Sequence, residues 1–293
     1  APSSAQAWVL ACRPKTLSAG AAPVVLGTAL AWADGGFHLV SALLSLVGAL
    51  AIQIGTNLFN DYADFVKGAD TEARLGPRRV TASGMLPRGA VYGGAVVFLL
   101  LALGCGLVLY EARGWAIVAI GVPSLFLAYG YTGGPFPLAY LGLGELFVIL
   151  FFGVVAVTGT VFVQTGTWPW EAVMVGLQVG FLSAVLISIN NLRDVSEDSR
   201  TGKRTLAVRW GRGAMLKLLA VMVWGAMLPS TAGVLMGMPW WLPLSLPVLF
   251  LGLAIVWRVQ RTDPGPAYNA YLALAGGQLL LFAVVFTVAA IVS

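Results

Sequence analysis

"LVSALLSLVGALAIQIGT" (residues 39–56) runs without a break into "NLFNDYADFVKGAD" (residues 57–70). The first stretch is predominantly apolar and close to the roughly 20 residues that a membrane-spanning helix needs. The second sets Asp61, Asp64 and Asp70 at its end. Acids are among the residues a bilayer tolerates least, and where they occur in or beside spans they have partners and functions. These acids decide the reading of the chain.

The rest of the sequence agrees with a membrane setting. Of 293 residues, 59% are hydrophobic and only 10% charged, where a soluble domain carries roughly 25%; mean hydropathy is +0.87. Nine apolar stretches are expected to span, at roughly 17–33, 39–59, 89–109, 114–131, 141–163, 170–192, 213–235, 241–257 and 267–292. No cleavable leader is expected, since Arg13 and Lys15 precede the first run without a small-residue cleavage site. With the N-terminus inside and nine alternating spans, 16 of the 17 basic residues fall on the inner side and only Arg113 lies outside. That is the bias of the positive-inside rule. The net charge of +5 is therefore topological and implies no nucleic-acid partner. The expectation is a multi-pass protein of a cell (plasma or inner) membrane, with its N-terminus and acidic loops cytoplasmic. Cys12 and Cys105 fall near opposite ends of spans, too far apart to bridge.

An internal echo organises the chain. "INNLRDVSED" (189–198) follows the sixth apolar run much as "GTNLFNDYAD" (55–64) follows the second. Aligning Asn57 with Asn190 puts Asp61 on Asp194 and Asp64 on Glu197. The pattern predicts an all-α, single-domain bundle over 1–293, pseudo-duplicated in four-helix units with a ninth helix added. The first acidic motif falls in an N-terminal half (1–140) and the second in a C-terminal half (141–293).

Helical spacing of three and four gathers side chains on one face. Asn57, Asp61 and Asp64 share a face at the end of the second run, and Asn190, Asp194 and Asp198 at the end of the sixth. Negative charge at a helix C-terminus opposes the macrodipole, and like charges at this spacing repel. A divalent cation removes both costs. Carboxylate and amide oxygens suit Mg²⁺, which shares its shell with substrate phosphates. The sequence has no Cys/His cluster for zinc, and the lone His38 lies on the outer side. Bases follow each motif: Lys67, Arg74, Arg78 and Arg79 after the first, Lys203 and Arg204 after the second. Acids that hold metal beside bases describe a diphosphate pocket, and beside a bilayer that diphosphate is a lipid one.

With these residues in hand, the chain resembles the UbiA superfamily of intramembrane prenyltransferases. "RPKTL" (13–17), "NDYADFVKGADTEARLGPRRV" (60–80), "YTGGPFPLAYLGLGE" (131–145) and "NNLRDVSEDSRTGKRTLAVRWG" (190–211) carry the likeness. Its wording is most similar to the branch that prenylates 1,4-dihydroxy-2-naphthoate. The resemblance implies nine helices around a central cavity capped on the cytoplasmic side, with polyprenyl diphosphate and the naphthoate as substrates. It implies two magnesium ions, one on Asn57, Asp61 and Asp64 and one on Asn190, Asp194 and Asp198. Of these, Asp61, Asp64, Asp194 and Asp198 are the expected catalytic acids. Lys67, Arg74, Arg193, Lys203 and Arg204 are the expected diphosphate contacts. One departure stands out: relatives acting on other aromatics carry a Lys four residues after the Tyr of this loop, and here Tyr131 is followed by Pro135.

Tyr131, Tyr140, Glu145 and Gln53 are the candidates for the aromatic acceptor; an interfacial Tyr, a buried acid paired to Arg and interhelical hydrogen bonding are their ordinary alternatives. Gln178 carries the same two readings. Trp115, Trp168, Trp170, Trp240 and Trp241 read as an outer aromatic belt. Two other functions stay open: a relative using 4-hydroxybenzoate or another ring, and a cation transporter with acidic half-helix sites. Against the transporter stand the helix-end position of the acids and the bases beside them.

Overall fold

The computed structural model describes residues 3–69, 75–76, 79–133 and 137–292. These fold as helices α1 (Ser4–Cys12), α2 (Pro14–Ala33), α3 (Leu39–Val66), α4 (Arg88–Arg113), α5 (Trp115–Gly130), α6 (Leu138–Leu141), α7 (Gly144–Thr165), α8 (Trp170–Arg193), α9 (Val195–Arg200), α10 (Leu206–Gly225), α11 (Leu228–Leu235), α12 (Trp241–Gln260) and α13 (Tyr268–Val292). Among the described residues, eight helical stretches are long and apolar enough to cross a membrane, α10 and α11 forming one of them. The ninth expected span, α5, is apolar but has only 16 residues.

Local chemistry sets the boundaries near the site. Ser3 and Gln6 form a reciprocal capping box that starts α1. Arg13, with φ 52°, turns the chain, and Pro14 then opens α2 at a position that needs no backbone donor. The short α1 was not expected. It buries Ala7 and Ala11 in a cluster with Leu58, Phe59 and Ala63 of α3 and Val80, Leu86 and Val91 beyond it. α3 continues two turns past the expected end, to Val66, and so carries all three residues of the first motif on rigid helix.

The main core joins α2, α7, α8, α12 and α13 through Leu26, Val157, Val179, Trp241, Phe282 and their neighbours. Over Val148–Val155, α7 widens into π-helical turns that lie against α8. Glycine makes this approach possible: a Cβ on Gly153 would sit 2.3 Å from the Gly176 carbonyl oxygen and 2.6 Å from the Gly180 Cα. Small residues of this kind let membrane helices meet backbone to backbone.

The outer aromatic belt is smaller than expected. Trp241 does not belong to an outer belt. It is fully buried, its Nε1 donating to Gln178 Oε1 at 2.7 Å, and Gln178 Nε2 donates in turn to Ser245 Oγ at 3.0 Å. Of its two readings Gln178 thus takes the interhelical one. Trp115, Trp168 and Trp170 are exposed as a belt requires. His38 caps α3, its Nδ1 accepting from the Ser41 backbone N–H.

Candidate active site

A run of hydrogen bonds fixes the first motif. Asn57 Nδ2 donates to Thr16 Oγ1 at 2.9 Å and to the Cys12 carbonyl at 3.1 Å, which turns its Oδ1 away from α2. One turn on, Asp61 accepts the backbone N–H groups of Val80 and Thr81 at 3.1 and 3.0 Å. It thereby pins the returning loop to the end of α3. Each carboxylate oxygen has a second lone pair, so this duty does not exhaust Asp61. Asp64, 1% exposed, gathers the most charge. Arg79 Nη2 lies at 2.7 Å and Lys203 Nζ at 3.0 Å from its Oδ2, and the Tyr140 hydroxyl donates to its Oδ1 at 3.2 Å.

The second motif is built differently from the expected single helix face. α8 ends at Arg193; Asp194 is its C-cap, and Asp198 sits on the separate short α9. The backbone N–H of Asp198 still reaches the Asp194 carbonyl at 2.9 Å, so the four-residue spacing survives the break. Arg193 grips both Asp194 oxygens at 2.7 Å each; its Nη2 also reaches Asn190 Oδ1 at 2.8 Å and its Nη1 reaches Asn269 Oδ1 at 2.8 Å. Asn269 Nδ2 in turn donates to the Leu75 carbonyl, tying the second motif to the loop after the first.

Other expected residues divide between the two sides of the site. Tyr140, read as an aromatic-acceptor residue, stands on the charged side, with Lys67 Nζ 4.4 Å and Lys203 Nζ 5.3 Å from its ring centre. Lys67 donates to the Thr132 carbonyl. Partial desolvation lowers its ammonium from the ordinary lysine value, Asp64 pulls it back up, and the Lys203 charge presses it down. Arg204 is exposed, its backbone N–H on the Tyr140 carbonyl at 3.3 Å. Arg74, with Asp70 and Arg78, lies outside the described residues. Glu145 is buried and has no arginine partner among the described residues; its Oε1 accepts from Asn191 Nδ2 at 2.9 Å. Arg79 was noticed in sequence only as one base of four; its burial against Asp64 follows from a 15-residue loop closure that spacing does not reveal.

Gln53 and Tyr131 lie on an apolar cavity of about 480 Å³ between α2, α3, α4, α5 and α7. It runs from Gln53 and Thr56 near the acids to Leu44, Tyr110 and Trp115 at the far end. Thr56 and Leu44 are twelve residues apart on α3, about 18 Å at 1.5 Å per residue. A long apolar cavity whose Gln53 end lies one turn from Asn57 of the acidic motif suits an amphiphile with an anionic head.

Residues 21–277 match the UbiA prenyltransferase family. The chain belongs to that family. It is similar to the 1,4-dihydroxy-2-naphthoate octaprenyltransferase of Escherichia coli, 35% identical over 77% of this chain and 75% of that one. A Mycobacterium tuberculosis protein of the same description is 41% identical over 70% of each. A UbiA homolog from Archaeoglobus fulgidus, solved bound to GPP and Mg²⁺, shares the fold with a TM-score of 0.71 at 17% identity, covering 98% of this chain and 100% of that one.

The donor set fits magnesium. Asn57, Asp61, Asp64, Asn190, Asp194 and Asp198 offer only hard oxygens. Cationic side chains already sit on Asp64 and on the Asn190–Asp194 pair, so positive charge is favoured at both places. Among the described residues no three Asp, Glu, His or Cys side chains converge as a ready metal cage. An ion here draws its remaining ligands from water and phosphate, as Mg²⁺ usually does.

Proposed function

We propose that the protein transfers a polyprenyl group from polyprenyl diphosphate to 1,4-dihydroxy-2-naphthoate with loss of CO₂ and diphosphate, giving the reduced, quinol form of demethylmenaquinone. The observation that carries this reading is the contact at Asp64, where Lys203 from the loop after the second acidic motif reaches the first motif, on the helix that also lines the apolar cavity. The names of the similar proteins support the choice of acceptor.

In this reading Asn57, Asp61 and Asp64 hold one magnesium ion, and Asn190, Asp194 and Asp198 a second. Magnesium, when bound, withdraws charge from the leaving diphosphate. Lys67, Arg79 and Lys203, grouped around Asp64 and Tyr140, supply positive charge to its oxygens; Arg74 and Arg204 are proposed from the sequence to add to it. Arg193 positions Asp194 and Asn190. The prenyl tail occupies the apolar cavity, whose walls keep water from the allylic carbon as its C–O bond breaks. The ring carbon bearing the carboxylate forms the new C–C bond. Its bond to the carboxylate then breaks, CO₂ leaves, and that electron pair restores the aromatic ring.

The departure at Pro135 bears on the acceptor. The described part of the loop after Tyr131 offers no cation to clamp a carboxylate, which suits an acceptor that sheds that group. Purified protein in lipid, supplied with octaprenyl diphosphate and carboxyl-¹³C naphthoate, should yield a lipid product without the label. Label kept in the product, or equal turnover of 4-hydroxybenzoate, overturns the assignment.

A further inference from the structure

We propose that Gln53 binds a ring hydroxyl of the aromatic acceptor through its Oε1, an orientation set by Thr16. The inference rests on the proposed function and names a contact which that reading leaves open.

Thr16 decides which way the amide faces. Its hydroxyl donates to the Arg13 carbonyl at 2.9 Å. A hydroxyl has one hydrogen and two lone pairs, so Thr16 Oγ1 can only accept from its other neighbours. Those are Asn57 Nδ2 at 2.9 Å and Gln53 Nε2 at 3.3 Å. Both amides must present their NH₂ groups to α2 and their oxygens elsewhere. Asn57 is anchored independently by its bond to the Cys12 carbonyl, and Gln53 takes the same sense while the Thr16 hydroxyl stays on Arg13.

Among the described residues Gln53 Oε1 is buried with no hydrogen-bond partner, on a side chain 8% exposed that lines the cavity with Thr56 and Tyr131. Gly20, one turn after Thr16, packs on its stem; a Cβ there would lie 3.4 Å from Gln53 Cβ. The amide is thus held from behind. A buried carbonyl without a donor is destabilising, and a donor arriving through the cavity relieves it.

The chemistry of the reactants selects that donor. Diphosphate oxygens are acceptors, as Oε1 is, and the prenyl tail has no polar hydrogen. The hydroxyls of the naphthalenediol are the donors available. The position suits them: Gln53 precedes Asn57 by four residues, about 6 Å along α3. That places Gln53 on α3 one turn from the metal-binding residues and on the wall of the tail cavity, the region where ring and allylic carbon must meet. As the ring gives electron density to the allylic carbon, its O–H becomes a stronger donor. The bond to Oε1 then tightens in the transition state, which is where binding accelerates a reaction.

The test compares 1,4-dihydroxy-2-naphthoate with its two monomethyl ethers, using the full chain in lipid. In the wild-type protein, one ether should inhibit about tenfold more weakly than the other, the loss expected when a buried carbonyl loses its donor. In Gln53→Met the KM for the naphthoate should rise about tenfold and the two ethers should bind alike, since removing either partner already removes the bond. The KM for the prenyl diphosphate and the Mg²⁺ requirement should not move. Equal discrimination between the ethers in both proteins overturns the proposal. So does a shift in prenyl diphosphate KM or Mg²⁺ dependence, which would put Gln53 on the diphosphate. If Gln53→Met fails to accumulate, Thr16→Val frees the amide to turn and should blunt the same discrimination; an unchanged ratio overturns the idea. Should the acceptor be another hydroxyarene, the naphthoate reading falls, and the same ether comparison on that ring decides Gln53.

Discussion

Lys203 stands 139 residues from Asp64 in sequence, and its Nζ lies 3.0 Å from the Asp64 Oδ2. The pair is largely sealed from solvent, the lysine side chain 13% and the acid 2% exposed. Removing one partner from a buried pair leaves the other charge uncompensated. Here Asp64 also holds Arg79 and Tyr140, so it is not stranded when the lysine leaves. Lys203 can therefore move its charge from Asp64 to an incoming diphosphate at small cost.

Lys203→Met should raise the KM for prenyl diphosphate about tenfold or more, the loss expected of a charge-assisted contact worth roughly 1.5–3 kcal/mol. The KM for the naphthoate should stay within a factor of about two. Steady-state kinetics on reconstituted protein separate these. A rise confined to the naphthoate would remove Lys203 from the diphosphate site.

Asp61→Asn and Asp194→Asn should each reduce turnover roughly a thousandfold or more, because several kcal/mol of leaving-group stabilisation are lost with a metal ligand. The asparagine oxygen at 61 can still accept from Val80 or Thr81, so both variants should elute as the folded protein in detergent. Either one keeping more than half of wild-type activity at saturating Mg²⁺ refutes the metal assignment.

Much of this was readable from residue pattern, and what was not has physical causes. Apolar runs define spans because lipid leaves the backbone few alternatives to a helix. Asn57, Asp61 and Asp64 share a face because four-residue spacing holds along an unbroken α3. The same inference bent at Asp194, whose φ/ψ of −95°/6° ends α8, since polar residues beyond a span give no periodic signal. Trp241 misled for a different reason. In a membrane protein, outward and inward faces are both apolar, so composition cannot separate a belt tryptophan from a core one. Tyr140 and Arg79 found Asp64 through loop closures, which no spacing rule encodes.

Topology gives a third prediction. Single cysteines replacing Trp115 and Trp168 should react with an impermeant thiol reagent from the outer side only. Cysteines replacing Arg88 and Arg209 should react only after the inner side is opened. All four positions are exposed, and the partition of basic residues motivates the assignment. The native Cys12 and Cys105 are free thiols and are replaced by serine or alanine first. If positions 88 and 209 report opposite sides, the two acidic motifs cannot share one diphosphate.

The last prediction concerns what holds the bundle together away from the site. Trp241 Nε1 donates to Gln178, Gln178 donates to Ser245, and Ser245 Oγ donates back to the Trp241 carbonyl at 3.0 Å. All three side chains are fully buried, so the loop of bonds joins α8 to α12 with no solvent to replace a lost partner. Trp241 also meets Phe286 edge to face, with ring centres 5.4 Å apart, and its ring fills the space a side chain on Gly233 would need. Trp241→Phe keeps much of that packing but leaves the Gln178 oxygen without a donor. It should cost about 1–3 kcal/mol, the penalty of an orphaned buried acceptor. Trp168→Phe, at an exposed belt position, should stay within about 0.5 kcal/mol, as surface changes do. Thermal unfolding of both variants in the same detergent decides between a belt and a core role. Equal shifts for the two would return Trp241 to the belt and leave the α8–α12 contact to apolar packing alone.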